Sequence, residues 1–205
     1  MQKLPKNTMA NFNASYEILL RLEFNSPANV LHKNKGESGL TFMGIYESAN
    51  PAWSGWPRVK SELNRLGYYG AGDAEILRRA SINLYNDEGL KAAAAFYRAK
   101  FWDALRADEI KSQKIADEIF CFAVNVGIKA AVKTAQKVAS ELTGANLAID
   151  GAIGAQTLRA INSCDADAFD VAFDEAERAY YDKIIAANPS LKIYARGWRN
   201  RAEAV

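Results

Sequence analysis

The chain has 205 residues, is 49% apolar and 24% charged, and carries a formal net charge of +2. Those proportions fit one ordinary domain, or a small domain with a compact appendage, and exclude general disorder and collagen-like repeats. The charge is too small to argue for nucleic acid by itself, and apolar runs such as Ile119 to Val124 fall far short of the roughly 20 residues a membrane-spanning helix needs.

Residues 1–11 read as a loose tail with no apolar leader segment, so accumulation in the cytoplasm at synthesis is expected. From Asn13 the spacing of Tyr16, Leu19, Leu20 and Glu23 predicts a helix, with Asn13 or Ser15 as its cap and Asn25-Ser26-Pro27 as its breaker. A polar loop should follow to Gly39, then one strand or extended piece from Leu40 to Tyr46. Pro51, Gly55 and Pro57 mark an irregular segment holding Trp53 and Trp56. Beyond it the chain reads as almost all helix: 58–66, 74–86 capped by Asp73, an Ala-rich run over 90–105, a run opened by Ser112, and 128–142 after the interruption at Gly127. Asp150-Gly151 is a turn, 154–161 a short helix, 167–186 a longer one, and Pro189 starts the last segment. The expected fold class is mainly α with one small β element early in the chain.

Chemistry-bearing residues are few. Cys121 and Cys164 are too few for a disulfide framework and read as buried or neutral thiols. His32 is the single histidine, so no imidazole pair exists for a metal, and neither metal nor cofactor is expected. Carboxylate chemistry is what remains.

Glu23 sits where a helix meets a polar loop. A helical Glu is ordinarily a solvated surface residue, but one desolvated on its apolar side and facing a cleft can serve as a general acid for glycosidic cleavage. Glu37, in the following loop, is a candidate second carboxylate, and the Thr41 hydroxyl could hold a water; the plain alternative is a Gly-rich turn with a solvated Glu. Trp53 and Trp56 suit stacking against the CH faces of sugars, or core packing. Asn125, among apolar residues, is either a structural bond or a substrate contact. Asp150-Gly151-Ala-Ile-Gly154-Ala-Gln-Thr157-Leu-Arg159 reads first as a turn and helix. A DNA-reading helix is disfavoured by the lone Arg159 and the acidic stretch behind it.

Together these residues resemble glycoside hydrolase family 108, phage-type peptidoglycan hydrolases and proteins once labelled secretion activators. Glu23 at a helix end, then Gly39-Leu-Thr41-Phe-Met-Gly44-Ile45, is similar to the family's amino-terminal motif. Asn125-Val-Gly127 with Ala131 and Gln136 resembles its later helix. Asp150-Gly-x-Ile-Gly154-x-x-Thr157 and Gly197-Trp-x-Asn-Arg201 resemble its carboxy-terminal peptidoglycan-binding part. Phe24-Asn25 stands where the family has Gly-Gly, Ser38 replaces one glycine, and the loop to Thr41 is longer.

The resemblance implies a lysozyme-like helical fold, with a catalytic region over 12–110 and a helical peptidoglycan-binding region over 111–205, packed as one globule. It implies Glu23 as catalytic acid, Thr41 as a cleft residue, Asn125 as a substrate-side contact, and Asp150, Gly151, Gly154 and Thr157 as the wall-binding motif. Peptidoglycan is then the expected partner of a monomer without nucleic acid or membrane insertion. The expected activity is an N-acetylmuramidase, bacteriolytic and endolysin-like, reaching the wall from the cytoplasm by release. A lytic transglycosylase needs one acid only and stays open, as does a non-catalytic wall-binding or secretion-regulating protein, for which Phe24-Asn25 speaks. A DNA-binding regulator is the remaining rival.

Overall fold

In the computed structural model, structure is described for residues 9–24, 26–34, 36–69, 73–202 and 205. The first eight residues of the expected tail, and Asn25 of the breaker, lie outside them. Ala10 and Asn11 are held rather than loose: Ala10 N donates to Ile110 O at 2.8 Å and Asn11 N to Gln113 Oε1 at 2.7 Å. Helix α1 (Phe12–Glu23) follows, its first turn capped by Asn11 Oδ1, which accepts from Asn13 N at 2.8 Å. Ser15, expected as a cap, is instead fully buried and donates to Asp117.

The described parts of the chain form two compact units, one of Leu20–Arg98 and the other of Met1–Leu19 with Ala99–Val205. In the first, Ser26 caps a 3-10 turn over Pro27–Asn29, so the expected breaker cluster stops α1 and restarts the chain in a new direction. Three strands follow where one was expected: β1 (Leu31–His32), β2 (Thr41–Phe42) and β3 (Ile45–Tyr46), antiparallel in that order. The predicted single strand over Leu40–Tyr46 folds back on itself because Met43 and Gly44 take φ of 47° and 75°, a left-handed hairpin turn. Met43 N donates to Val30 O at 2.7 Å, Tyr97 Oη donates to Met43 O at 2.7 Å, and the Met43 side chain is fully buried, which holds a non-glycine residue in that conformation.

Two-residue strands are marginal alone. Here Ser81 of α3 (Ala74–Leu84) ties β1 down, accepting from Leu31 N at 2.9 Å and donating to Leu31 O at 3.1 Å. Val30, Leu31, Phe42 and Ile45, and Val59 and Leu63 of α2 (Trp56–Arg65), are all buried in this unit. Helix α3 ends at Leu84, and Asn86 caps α4 (Asp87–Tyr97), accepting from Gly89 N at 3.1 Å, so the predicted 90–105 helix starts earlier. It also stops earlier, passing into a π-turn over Arg98–Trp102.

Gly44 gives this unit a sharp test. A Cβ there would lie 2.5 Å from Tyr97 Oη, in addition to the left-handed φ. Gly44→Ala is expected to lower stability by about 2 kcal/mol, the sum of the left-handed penalty and a lost buried hydrogen bond, read as a lower thermal midpoint.

In the second unit, α5 (Gln113–Val126) carries Ile115, Ile119 and Phe122 of the predicted face Ile115, Ile119, Phe122 and Val126 inward, while Val126, at the helix end, is half-buried. Gly127, at φ 90°, separates it from α6 (Ile128–Thr143). Next come α7 (Ala155–Ile161), α8 (Ala166–Ala187), a 3-10 segment over Pro189–Tyr194 and α9 (Ala195–Ala202). Phe169 and Phe173 stack on one face of α8, Phe122 meets Phe173 and Tyr181 edge-on, and Tyr181 stacks on Trp198. Among the described residues no helix is long and apolar enough to cross a membrane.

Candidate active site

The last turn of α1, the 3-10 turn and the strand pair β1–β2 converge on a cleft of about 410 Å³. It is lined by Glu23, Phe24, Ser26, Asn29, His32, Thr41 and Gly44. Each lining residue arrives for a local reason. Glu23 is the final residue of α1, carried to the rim because Ser26 and Pro27 turn the chain away immediately afterwards. The sheet register sets His32 opposite Thr41, and the hairpin turn brings in Gly44.

Glu23 is half-buried, between helix and cleft. Thr41 is only 6% exposed, yet its hydroxyl has no hydrogen-bond partner among the described residues. A buried hydroxyl facing a cleft without a partner is open to a ligand or a water. His32 Nδ1 is 3.1 Å from Asn29 O, which fixes the ring at the cleft wall. Glu23 is the sole carboxylate among the described lining residues.

The structure places other predicted site residues elsewhere. Glu37, on the β1–β2 loop, accepts from Asn34 Nδ2 at 3.1 Å and is not among the cleft's described lining. Trp53 and Trp56 are 9% and 2% exposed; Trp53 stacks on Phe42 and meets Trp56 edge-on, and Trp56 Nε1 donates to Asn50 O at 2.8 Å. Both pack the core of the first unit. Asn125, in the second unit, is exposed and donates to Tyr181 Oη at 2.7 Å.

The Asp150 motif is held from within by Gln136, which is 1% exposed. Gln136 Nε2 donates to Asp150 Oδ1 at 2.8 Å, to Ala152 O at 3.0 Å and to Thr157 Oγ1 at 3.3 Å, while its Oε1 accepts from Gly151 N at 2.9 Å. The Gln136 amide holds the Asp150 carboxyl below the usual carboxylate range. Gly151 runs at φ 81°, where a Cβ would lie 2.9 Å from Lys129 O. Gly154 caps α7 from the exposed side and Thr157 is buried. Gln136→Leu strips partners from two backbone groups and a carboxylate at once, so a loss of about 2 kcal/mol is expected by chemical denaturation.

The sequence reading passed over a buried acidic pair in the second unit. Glu118 on α5 and Glu177 on α8 are 1% and 3% exposed. Neither Glu118 oxygen makes a hydrogen bond of ordinary geometry among the described residues. Burial, then the neighbouring Glu177, Asp174 and Asp170, pushes the Glu118 carboxyl up to about 9. Burial and Asp174 push Glu177 to about 8, against the opposing charge of Arg201 from the Gly-Trp-Arg-Asn-Arg ending. Cys121 is a buried thiol pushed upward by desolvation, and both cysteines are free. Among the described residues no group of three or more His, Cys, Asp or Glu side chains is placed to hold a metal ion.

Comparison with known proteins adds to this geometry. Residues 28–127 match the family described as Glycosyl hydrolase 108, and residues 130–203 match a "Predicted Peptidoglycan domain". The first match begins after Glu23, so position 23 rests on the cleft itself. No curated protein matches the sequence. Among solved structures, that titled "Structure of Brucella abortus SagA" is similar, with a TM-score of 0.61 at 21% identity over 94% of this chain and 89% of that one, a likeness of fold. The chain carries a glycosyl hydrolase 108 region over residues 28–127, followed by a peptidoglycan domain over residues 130–203.

Proposed function

We propose that the protein is an N-acetylmuramidase that cleaves the β-1,4 glycosidic bond of the bacterial wall, with Glu23 as general acid. The observation that carries this reading is one cleft lined by both a half-buried carboxyl, Glu23, and a buried hydroxyl without a partner, Thr41. A glycan filling the cleft displaces water and seats its bridging oxygen beside the Glu23 carboxyl. Glu23 gives its proton to the bridging oxygen as positive charge builds on the sugar ring, and the bond to the anomeric carbon breaks. A water held by Thr41 attacks that carbon and returns a proton to Glu23. The reaction takes place where the wall is, in the periplasm or outside the cell.

The absence of a second carboxylate among the described lining residues favours one further reading, a lytic transglycosylase. There the substrate's own 6-hydroxyl replaces water and a single acid/base suffices. Mass spectrometry of fragments released from purified wall separates the two. Reducing muramic acid ends are the expected product, and anhydro ends would establish the transglycosylase instead. Release of no fragments at all would make the protein a wall binder without activity.

A further inference from the structure

A second groove, of about 380 Å³, lies in the peptidoglycan domain between α6 and α8. Positions 130, 133, 134 and 137 of α6 and 176, 179, 180 and 183 of α8 line it, each set spaced as one helical face. Alanines at three of these positions keep the helices' side chains short, so the channel stays open. Ile149, 44% exposed, and the Tyr180 ring give it apolar walls. Lys133, Lys137 and Lys183 stand along it, and no carboxylate is among its described lining residues.

That distribution is unusual for this chain. Helix α8 carries Asp167, Asp170, Asp174, Glu175, Glu177 and Asp182, yet none of them lines the groove. Lys183 has no ion pair among the described residues, and Lys137 has only an exposed, loose contact of 3.9 Å with Glu141. The Thr134 hydroxyl is spent on Ala130 O at 3.1 Å, so beside the Tyr180 phenol the polar recognition left in the groove is cationic.

We propose that this groove binds the carboxylate-bearing peptide stem of peptidoglycan. Lysines take the stem's free carboxylates, while its alanine methyls lie on the apolar walls. The assignment rests on the wall-directed reading above and deepens it: the cleft at Glu23 cuts glycan, and the α6–α8 groove recognises peptide. A nucleic acid fits the groove poorly, because three lysines around a narrow apolar channel offer no extended basic track.

The test uses the full-length chain carrying Glu23→Gln, so that bound wall is not digested. Co-sedimentation is measured with intact purified wall and with wall whose peptides have been removed by an amidase. Binding to stripped wall is expected to be at least 10-fold weaker. Adding Lys133→Glu and Lys183→Glu should lower binding to intact wall to the stripped level, with an unchanged thermal midpoint and no further loss on stripped wall. Equal binding to both walls, unaltered binding by the lysine variant, or competition by duplex DNA but not by stem peptide would overturn the proposal. Cleavage of a soluble, peptide-free glycan by the wild-type chain is read in parallel. Peptide-dependent binding without cleavage removes the hydrolase reading and leaves the groove standing, and cleavage with peptide-blind binding does the reverse.

Discussion

Glu23→Gln is expected to lower the rate of wall cleavage by about 100-fold or more, the usual scale for loss of a general acid. The amide keeps the shape of the carboxyl but has no proton to give. Residue 23 is half-buried at a helix end and outside the core, so the far-UV spectrum and melting midpoint should stay close to wild type. A companion variant guards against a folding artefact. Thr41→Val swaps a hydroxyl for a methyl of equal size, and no hydrogen bond among the described residues is lost. Its rate should fall about 10-fold, in keeping with a lost water contact, while its midpoint holds or rises. A Glu23→Gln protein that retains most of the wild-type rate would remove Glu23 from the chemistry.

The second large effect concerns pH and lies in the other unit. Folding holds the carboxyls of Glu118 and Glu177 at about 9 and about 8, against an ordinary value of 4.5. Between that ordinary value and the raised ones, the folded chain binds more protons than the unfolded chain. Stability contributed by the protonated pair is therefore complete in acid, falls as pH rises above the ordinary carboxyl range, and is gone once both groups ionise in the fold. The other charges around the pair are Asp170, Asp174 and Arg178 on α8 and Arg201 on α9, with the Cys121 thiol on α5. Asp170 is paired with Lys114 at 3.1 Å and Asp174 with Arg178 at 3.6 Å, which leaves Glu118 as the least compensated member. Glu118→Gln removes one ionisation without changing volume. It is expected to raise stability by about 2–4 kcal/mol at pH 8 and to make little difference at pH 4. Denaturant titrations across that range check the sign, and a variant gain that shrinks with rising pH would contradict it.

The helices were legible because the sequence states them locally: Asp73, Ser112 and Gly127 mark real ends, and the Ile115, Ile119, Phe122 spacing marks a real inner face. The small sheet was legible only in part. Its turn at Met43-Gly44 depends on Tyr97, distant in sequence, donating to Met43 O, and a non-glycine residue at positive φ has no local signature. Glu23 and Thr41 could be named from a motif, but His32 joins them through strand register, which a loop reading of residues 25–39 cannot supply. The tryptophans stayed open between two roles for a physical reason: an indole in a Pro/Gly-rich segment is equally suited to a sugar face and to a core, and here Phe42 and Asn50 O provide the core. The Glu118–Glu177 pair was invisible because each glutamate lies on a helix whose neighbouring residues include other acids, and only tertiary packing removes their water.

The most direct measurement is a crystal structure of the Glu23→Gln protein with a bound muramic acid-containing tetrasaccharide. The account predicts the glycosidic oxygen within hydrogen-bond distance of the residue 23 side chain, with Thr41 Oγ1 bonded to a water or to the sugar on the same cleft wall. A well-ordered sugar chain seated away from Glu23 and Thr41 would contradict it.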